Sequence, residues 1–426
     1  MRRYESYKDS GVEWLGEVPS HWNLIPNKYI FKLRKNVVGK RSSEYDLLSL
    51  SLKGVIKRDM ENPEGKFPAE FDTYQEVKEG DFIFCLFDVE ETPRTVGLSS
   101  YHGMITGAYT IFETNNVDKK FIYYFYLNLD SDKRLKPLYK GLRNTISKET
   151  FFSFNTFIPP LSEQQKIAQF LDDKTAKIDQ AVDLAEKQIA LLKEHKQILI
   201  QNAVTRGLNP DVPLKDSGVE WIGQVPEHWD VKKLKYLAKL SPSKSEITCN
   251  HEESCSFIPM EKLKLNTLIL DEIKQIKNVY SAYTYFRDED LLIAKVTPCF
   301  ENKNFAIAKN LVNSIGFGSS EIYVLRAYNN LFNKFLFYRL QEQNFMEIAI
   351  SKMSGTGGLK RVPSEFINNF QLALPPLCEQ QKIADYLDTQ TAKIDQAIAL
   401  KTAHIEKLKE YKSVLINDVV TGKVRV

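Results

Sequence analysis

The feature that most constrains this chain is an internal repeat of two separate motifs. KDSGVEWLGEVPSHW at residues 8–22 recurs as KDSGVEWIGQVPEHW at 215–229, with 12 of the 15 positions identical. PPLSEQQKIAQFLDDKTAKIDQA at 159–181 recurs as PPLCEQQKIADYLDTQTAKIDQA at 375–397. The two offsets are 207 and 216, so the second copy carries nine extra residues between its motifs. The 426 residues therefore predict two similar units rather than one continuous domain.

The shorter motif contains all four tryptophans of the chain: Trp14, Trp22, Trp221 and Trp229. It is rich in Gly and Pro and flanks a long predicted helix, so we interpret each copy as a structural clasp that anchors that helix. The alternative is that the indole rings stack on nucleic-acid bases.

The longer motif predicts the start of a helix that contains no Gly or Pro from Ser162 to Arg206. Ser162 is expected to act as its N-cap, with Gln165 completing a capping box. Cys378 replaces this serine in the second copy, which predicts a weaker start there. A helix of about 44 residues is about 66 Å long at 1.5 Å per residue, which is too long to be buried in one small domain. We therefore expect it to pair with another helix.

Apolar residues in both long helices recur with alternating spacings of three and four, which predicts a coiled-coil seam. The simplest partner for each helix is its own repeat, in an antiparallel pair related by a pseudo-twofold axis. Lys196 and Lys412 occupy equivalent seam positions, where they either fix the register or extend their ammonium groups into solvent. The principal seam residues are Leu171, Ile178, Val182, Ile189, Leu192, Leu199, Leu387, Ile394, Ile398, Ile405, Leu408 and Leu415.

The two regions between the motifs differ in sequence but share an order of predicted elements, and both are expected to be α+β. Strands are predicted at 80–87 and 108–115 in the first region and at 290–298 and 320–327 in the second. Aromatic-rich helices are predicted at 121–129 and 333–342. The fold class is therefore α+β, with two similar globular domains joined by two long antiparallel coiled-coil helices.

Several loops combine Arg or Lys with small polar residues, which is the composition required to contact base edges and phosphates. For any single residue the alternative is an ordinary solvated loop. The net charge of +3 is too close to neutral to identify a nucleic-acid partner. The candidates are Thr92, Arg94, Thr95, Thr106, Lys140, Arg143 and Asn144 in the first domain, and Lys295, Thr297, Phe300, Ser319, Lys360 and Arg361 in the second.

The sequence offers no set of residues from which a catalytic site is expected. It contains no phosphate-binding GxxxxGK[ST] motif, and no Asn or Asp precedes either Pro-Pro pair, as a DNA adenine methyltransferase would require. The five cysteines are scattered, and the spacing Cys249, His251, Cys255 lacks a second ligand pair, so we expect reduced structural thiols and no metal site. The sequence shows neither an apolar leader nor a membrane-spanning run, which predicts a cytoplasmic protein.

The duplicated motifs DSGVEWLGEVPSHW and PPLSEQQKIAQFLD with TAKIDQ, placed around two dissimilar regions, resemble the specificity subunit of a type I restriction-modification system. The segments FCLFDVEETPRTVG and LLIAKVTPCFENKNFAIA also resemble stretches of the target-recognition domains of this family. The resemblance covers the whole chain. It implies a clasp with target-recognition domain 1 at residues 1–158, spacer helix 1 at 159–208, a clasp with domain 2 at 209–374 and spacer helix 2 at 375–426.

The resemblance also implies a function. Each domain is expected to bind one half of a bipartite, asymmetric site in double-stranded DNA, while the helices set the spacing and dock two methyltransferase subunits. Restriction and translocase subunits join larger complexes of the family. The chain itself is expected to be non-catalytic and without cofactors, and the partners are expected to use S-adenosylmethionine, ATP and Mg²⁺. The alternatives are an autonomous DNA-modifying enzyme and a coiled-coil scaffold without sequence specificity.

Overall fold

A computed structural model describes residues 2–60, 70–139, 144–356 and 358–426. The chain divides into two compact units: unit 1 contains Met1–Ala185 with Thr402–Val426, and unit 2 contains Glu186–Lys401. Each unit therefore combines one globular domain with a segment of each long helix. The predicted division into four successive segments follows the sequence repeat, whereas the compact units divide both long helices near their middle.

Unit 1 is built from short strands, two short helices and the first part of a long helix. The strands are β1 (Tyr7–Asp9), β2 (Glu17–Pro19), β3 (Asn23–Pro26), β4 (Phe31–Arg34), β5 (Leu48–Ser51), β6 (Gly54–Lys57), β7 (Gln75–Val77), β8 (Phe82–Phe84), β9 (Val96–Leu98), β10 (Gly103–Ile105), β11 (Thr110–Thr114) and β12 (Asn155–Ile158). The helices are α1 (Lys119–Ser131), α2 (Lys148–Ser153) and α3 (Leu161–Arg206), of which α3 continues into unit 2 after Ala185.

The central sheet of unit 1 has the order β4-β11-β8-β9 and is antiparallel throughout. Its strands are short, and their aromatic side chains pack with α1 and α2 into one buried core. Phe31, Phe84 and Phe151 lie at the centre of this core, with ring centroids 4.9–5.6 Å apart. Aromatic contacts at these distances stabilise a core beyond the area that they bury.

Unit 2 contains a corresponding set of elements. The strands are β13 (Leu214–Asp216), β14 (Gln224–Pro226), β15 (Asp230–Lys233), β16 (Ala238–Leu240), β17 (Ser254–Ile258), β18 (Leu263–Lys264), β19 (Thr267–Leu268), β20 (Ile273–Gln275), β21 (Thr284–Arg287), β22 (Leu291–Ala294), β23 (Phe305–Ile307), β24 (Ile315–Gly318), β25 (Ile322–Ala327) and β26 (Gln371–Leu374). The helices are α4 (Ile276–Val279), α5 (Asn333–Arg339), α6 (Gln343–Lys352), α7 (Ser364–Asn369) and α8 (Leu377–Val420), whose last part belongs to unit 1.

The central sheet of unit 2 has the order β16-β25-β22-β23, which repeats the topology of unit 1 strand for strand. The four strands predicted from sequence are β8 and β11 in unit 1 and β22 and β25 in unit 2, and they form the middle of each sheet. The two predicted aromatic-rich helices are α1 and α5. The α+β prediction is confirmed. Unit 2 also has a second four-stranded sheet, β20-β17-β24-β21. In unit 1 the same arrangement is split into the pairs β5-β6 and β7-β10, which a parallel bridge between Leu47 and Met104 connects.

The predicted seam residues are buried or half-buried, and none is exposed. In unit 2, the Lys196 ammonium lies 2.7 Å from both carboxylate oxygens of Asp395, and Lys401 donates to Gln188 at 2.6 Å. These two contacts show that the helix segments of unit 2 run antiparallel. In unit 1, Lys412 reaches Asp179 in the same manner, at 2.6 and 2.7 Å. The seam lysines therefore form ion pairs between helices, which favours the register role over simple exposure to solvent.

The prediction that Ser162 caps α3 is wrong. The helix begins at Leu161, so exposed Ser162 already lies inside its first turn. Gln164 holds this end instead: its amide donates to the Pro159 carbonyl at 2.8 Å. In the second copy Gln380 donates to Pro375, also at 2.8 Å, so the start of α8 is held by the same bond although Cys378 replaces the serine.

Candidate nucleic-acid interface

The clasp in each unit is organised by one buried tryptophan and one glutamate. Trp22 is wholly buried, and its indole N–H donates to Glu163 Oε1 at 3.2 Å, while His21 Nε2 lies 2.8 Å from Glu163 Oε2. Trp229, Glu379 and His228 repeat these contacts at the same distances. Because Trp22 and Trp229 are buried, they are not available to stack on bases, and the clasp interpretation is supported.

A second contact fixes the globular domain to the long helix. The Tyr124 hydroxyl on α1 donates to Asp172 on α3 at 2.8 Å and lies 3.1 Å from Thr175. The second copy repeats this arrangement between Tyr338 on α5 and Asp388 on α8, at 2.7 Å. Burial and the bond to the carboxylate raise the pKa of both tyrosines, so they stay protonated as donors. The clasp and this contact together hold each globular domain against its long helix.

The anchoring residues Glu163, Glu379, Asp172 and Asp388 were not among the predicted site residues. The signal was present, because each pair recurs at the same offset within the longer motif. Gln164 is likewise repeated in the longer motif and contacts the domain. Its side-chain oxygen accepts from the Asp118 N–H at the start of α1, at 2.8 Å. Polar residues repeated within an amphipathic helix thus indicated contacts with the domain.

In unit 2, most candidate DNA-contacting residues meet at one end of the central sheet. The segment after β22 pairs with the segment before α7: Val362 N–H donates to the Lys295 carbonyl and Thr297 N–H to the Lys360 carbonyl, both at 2.9 Å. The Thr297 hydroxyl donates to the Gly358 carbonyl at 2.9 Å and accepts from the Lys360 N–H at 3.1 Å. These bonds bring Lys295, Thr297 and Lys360 together although they lie far apart in sequence.

Unit 1 has the same pairing between equivalent segments. Ile146 N–H donates to the Leu86 carbonyl at 2.7 Å, and Asp88 N–H donates to the Asn144 carbonyl at 2.9 Å. Asn144 is exposed and has a positive φ of 47°. Lys140 and Arg143 lie outside the described residues. Asn144 in unit 1 thus occupies the place that Lys360 occupies in unit 2.

The two predicted turns lie at this same end of each sheet. Thr106 lies in the turn between β10 and β11, and Ser319 lies in the turn between β24 and β25. The first residue of β11 pairs with the last residue of β8, and Ile322 of β25 pairs with Ala294, the last residue of β22. Thr106 and Ser319 are both half-buried turn residues whose hydroxyls accept backbone N–H groups.

The charged candidates differ in their engagement with the fold. Lys360 is exposed, and among the described residues no carboxylate lies within ion-pair distance of its ammonium. Arg361 is also exposed but forms a bidentate pair with Glu321, with distances of 2.8 and 3.1 Å. This guanidinium lowers the pKa of the Glu321 carboxyl. The Lys295 ammonium lies 5.3 Å from the centre of the Tyr323 ring.

Three candidates are placed differently from the prediction. Thr95 and Phe300 are wholly buried, so neither side chain reaches the surface, and Phe300 packs against Phe305 with ring centroids 5.4 Å apart. Arg94 is half-buried: it donates to the Leu52 carbonyl at 3.0 Å and lies 3.5 Å from the Asp130 carboxylate. Thr92, beside it on the same loop, accepts a bond from Lys133 through its carbonyl. The contacts of Arg94 with Leu52 and Asp130 therefore hold its guanidinium within the domain.

Among the described residues, no group of three His, Cys, Asp or Glu side chains is arranged to hold a metal ion. The described cysteines are all free thiols. In the same part of the chain, every helix is too short or too polar to cross a membrane.

The sequence matches the family described as "Type I restriction modification DNA specificity domain" over residues 104–193 and 226–410. One match lies in each repeat, and together they include more than half of the chain. The chain belongs to this family. Its fold is also that of the family, as two solved structures show.

The first solved structure comes from work on complex assembly and conformational transition of a type I R-M system, with a TM-score of 0.66 at 14% identity, covering 96% of this chain and 99% of that one. The second is the HsdS subunit from Thermoanaerobacter tengcongensis, with a TM-score of 0.53 at 15% identity, covering 98% of this chain and 100% of that one. Both similarities extend over nearly the whole chain and confirm two α+β domains with long helices.

Two curated relatives are specificity subunits. The type I restriction enzyme EcoAI specificity subunit from Escherichia coli is 38% identical over 163 residues, or 38% of this chain and 27% of that protein. The putative MjaX specificity subunit from Methanocaldococcus jannaschii is 24% identical over 452 residues, or 99% of this chain and 97% of that protein. The matched region thus spans about a quarter of the Escherichia coli relative and nearly all of the archaeal one.

Proposed function

We propose that this chain is the DNA sequence-recognition subunit of a type I restriction-modification complex. The observation that carries the proposal is that two domains of the same topology present different residues at the same end of their central sheets. Asn144 in one domain and Lys360 in the other occupy equivalent positions. Two such domains suit a site whose two halves differ in sequence, because direct readout requires different side chains for different bases.

Each domain binds one half of a bipartite, asymmetric site in double-stranded DNA, and the long helices set the distance between the halves. Phosphate contacts supply much of the affinity, and a few base contacts supply the choice of sequence. Among the predicted residues, Lys360 is the strongest candidate for a base contact because its ammonium is exposed and lacks a described carboxylate partner.

The chain acts without catalysis of its own. Two methyltransferase subunits dock on it and carry S-adenosylmethionine, and restriction subunits that use ATP and Mg²⁺ join the larger complex. The complex works in the cytoplasm on chromosomal DNA. Support for this division of labour comes from the family and from the absence of catalytic motifs in the sequence.

The test is to co-express the chain with its methyltransferase subunit and sequence the methylated genomic DNA. Wild type should give one bipartite motif, and Lys360→Ala should relax the sequence of one half-site only. Lys277→Ala is the matched control, because Lys277 is a partly exposed lysine of the same unit that pairs with Glu252. It should leave the motif unchanged.

Each alternative function predicts a different outcome. Methylation of DNA by the purified chain with S-adenosylmethionine alone would indicate an autonomous enzyme. Methylation without any sequence preference in the assembled complex would indicate a scaffold. Equal weakening at every position of the motif in the Lys360 variant would make this residue a phosphate contact.

A further inference from the structure

The internal repeat resumes a few residues after the clasp. No position of residues 23–26 is identical to its counterpart in 230–233. In the next seven positions, NKYIFKL at 27–33 and LKYLAKL at 234–240, four residues are identical. They are Lys28, Tyr29, Lys32 and Leu33 in the first copy and Lys235, Tyr236, Lys239 and Leu240 in the second. From residue 34 the two copies diverge again.

In this segment the surface residues are identical and the core residues differ. Phe31 and Ala238 occupy equivalent positions and are both buried, yet they differ greatly in volume. Tyr29 and Tyr236 are identical, and they are 66% and 64% exposed. Packing constrains buried positions most strongly, whereas exposed positions usually tolerate substitution. The fold therefore does not account for the identity of the exposed residues.

We call the exposed residues of each copy the Lys–Tyr surface: Lys28, Tyr29 and Lys32 in unit 1 and Lys235, Tyr236 and Lys239 in unit 2. The geometry is also repeated. The Lys28 ammonium lies 4.9 Å from the centre of the Tyr29 ring, and the Lys235 ammonium lies 5.3 Å from that of Tyr236.

The third residue of each Lys–Tyr surface forms an exposed ion pair. Lys32 pairs with Glu113 at 2.6 Å, and Lys239 pairs with Glu246 at 2.8 Å. In the described part of the chain, no carboxylate lies within ion-pair distance of Lys28 or Lys235. Each surface therefore offers an aromatic ring beside an ammonium group that the chain itself does not neutralise.

The strand register places each Lys–Tyr surface away from the candidate DNA-contacting loops. The surface in unit 1 directly precedes and enters β4, where Phe31 pairs with Thr114, the last residue of β11. In unit 2, Ala238 of β16 pairs with Ala327, the last residue of β25. The candidate loops precede the first residues of β11 and β25. The two features thus lie at opposite ends of the same strands.

We propose that the Lys–Tyr surface of each unit docks one copy of the same protein subunit, which presents carboxylates and apolar side chains to it. In the proposed function the two domains differ in the residues that contact their different half-sites. Residues that are identical in the two domains instead suit a partner that is the same for both. Tyrosine is enriched among residues that dominate binding energy, and lysine provides charge complementarity to an acidic partner. This inference rests on the proposed function, in which the repeated partner is the methyltransferase subunit.

The test measures how many methyltransferase subunits bind the full-length chain, by native mass spectrometry and by titration. Wild type should bind two copies. Tyr29→Ala and Tyr236→Ala should each weaken one of the two binding events at least tenfold, and the double variant should weaken both. Lys28→Glu with Lys235→Glu is a second variant that reverses charge without removing the rings and should also weaken both.

Tyr101→Ala is the matched control. Tyr101 is 37% exposed, and its ring lies 5.4 Å from the Lys57 ammonium, so the control removes the same kind of exposed Lys–Tyr contact. It should leave both binding events within twofold of wild type. The inference is overturned if the double tyrosine variant also stays within twofold.

Two further outcomes separate the proposals. A double variant that keeps both subunits but loses affinity for DNA of any sequence would identify the surface as a phosphate contact and overturn the inference alone. A wild-type chain that binds no methyltransferase subunit would overturn the proposed function together with the inference.

Discussion

Reversing one charge between the long helices tests whether the seam lysines set the register. In unit 1 the Lys412 ammonium contacts both carboxylate oxygens of Asp179, at 2.6 and 2.7 Å. The lysine side chain is 29% exposed and the aspartate 57% exposed, so solvent screens the pair considerably. Ion pairs in such settings contribute about 0.2–1 kcal/mol. Replacing attraction by repulsion in Lys412→Glu should therefore cost about 1–2 kcal/mol.

Thermal unfolding monitored by circular dichroism measures this cost. A loss of about 1 kcal/mol lowers Tm by roughly 2–4 °C in units of 150–250 residues, so Lys412→Glu should lower Tm by about 2–8 °C. The double variant Asp179→Lys with Lys412→Glu should recover at least half of the loss because it restores opposite charges. The difference in Tm between wild type and Lys412→Glu should shrink at 1 M salt, where charges are screened within about 3 Å.

Lys409→Glu is the control on the same helix. Lys409 lies 3.6 Å from Glu406, three residues earlier, and both side chains are largely exposed. This change should shift Tm by less than 2 °C, since exposed pairs within one helix contribute little. Equal losses in the Lys412 and Lys409 variants, or no recovery in the double variant, would refute a register role for the seam lysines.

Three further predictions concern the clasp, the Glu321 pair and the spacer. Glu163→Ala should destabilise the chain by about 2 kcal/mol because it leaves the buried indole N–H of Trp22 without its acceptor. The control Ser162→Ala should change stability by less than about 0.5 kcal/mol. Denaturant unfolding followed by tryptophan fluorescence measures both variants. Glu321 has a lowered pKa in the folded state, so its contribution is present above its ordinary value of 4.5 and is lost as the pH falls through the folded value. The stability difference between wild type and Glu321→Gln should therefore vanish in acid, and a constant difference down to pH 3 would contradict this assignment. Four residues added to each long helix should lengthen the spacer by about 6 Å. At about 3.4 Å per base-pair step, the gap between the two recognised halves of the DNA site should widen by one or two base pairs. An unchanged methylated motif would exclude a spacing role for the helices.

Local sequence pattern was sufficient to predict both long helices and the two middle strands of each central sheet. Runs without Gly or Pro predicted both long helices, because such runs contain nothing that interrupts a helix. Short strand-like runs bounded by turn signals predicted β8, β11, β22 and β25. The Ser162 cap failed since the preceding Pro159 and Pro160 already allow the helix to begin at Leu161.

The candidate site was less predictable because composition does not determine which way a side chain points. Thr95 lies in a polar loop, yet its N–H donates to buried Asp130, 35 residues away, at 3.0 Å. Arg94 approaches the same carboxylate, so a distant acidic residue rather than the local pattern decides its role. Phe300 follows a candidate loop but belongs to the core. By contrast, the pairing of the Lys295 and Lys360 segments could only be seen in three dimensions.

The division of the chain into units has a consequence for its synthesis. The core of unit 1 includes Leu415, Ile416 and Val419, which lie in the last turns of α8. Residues 1–185 leave the ribosome long before these residues are made, so the nascent first domain lacks part of its own core while the whole of unit 2 is being translated. Unit 2, in contrast, is continuous in sequence and has all its residues by Lys401. The domain that is made first is therefore completed last, and a chain interrupted shortly after Lys401 would release a finished unit 2 beside an unfinished unit 1.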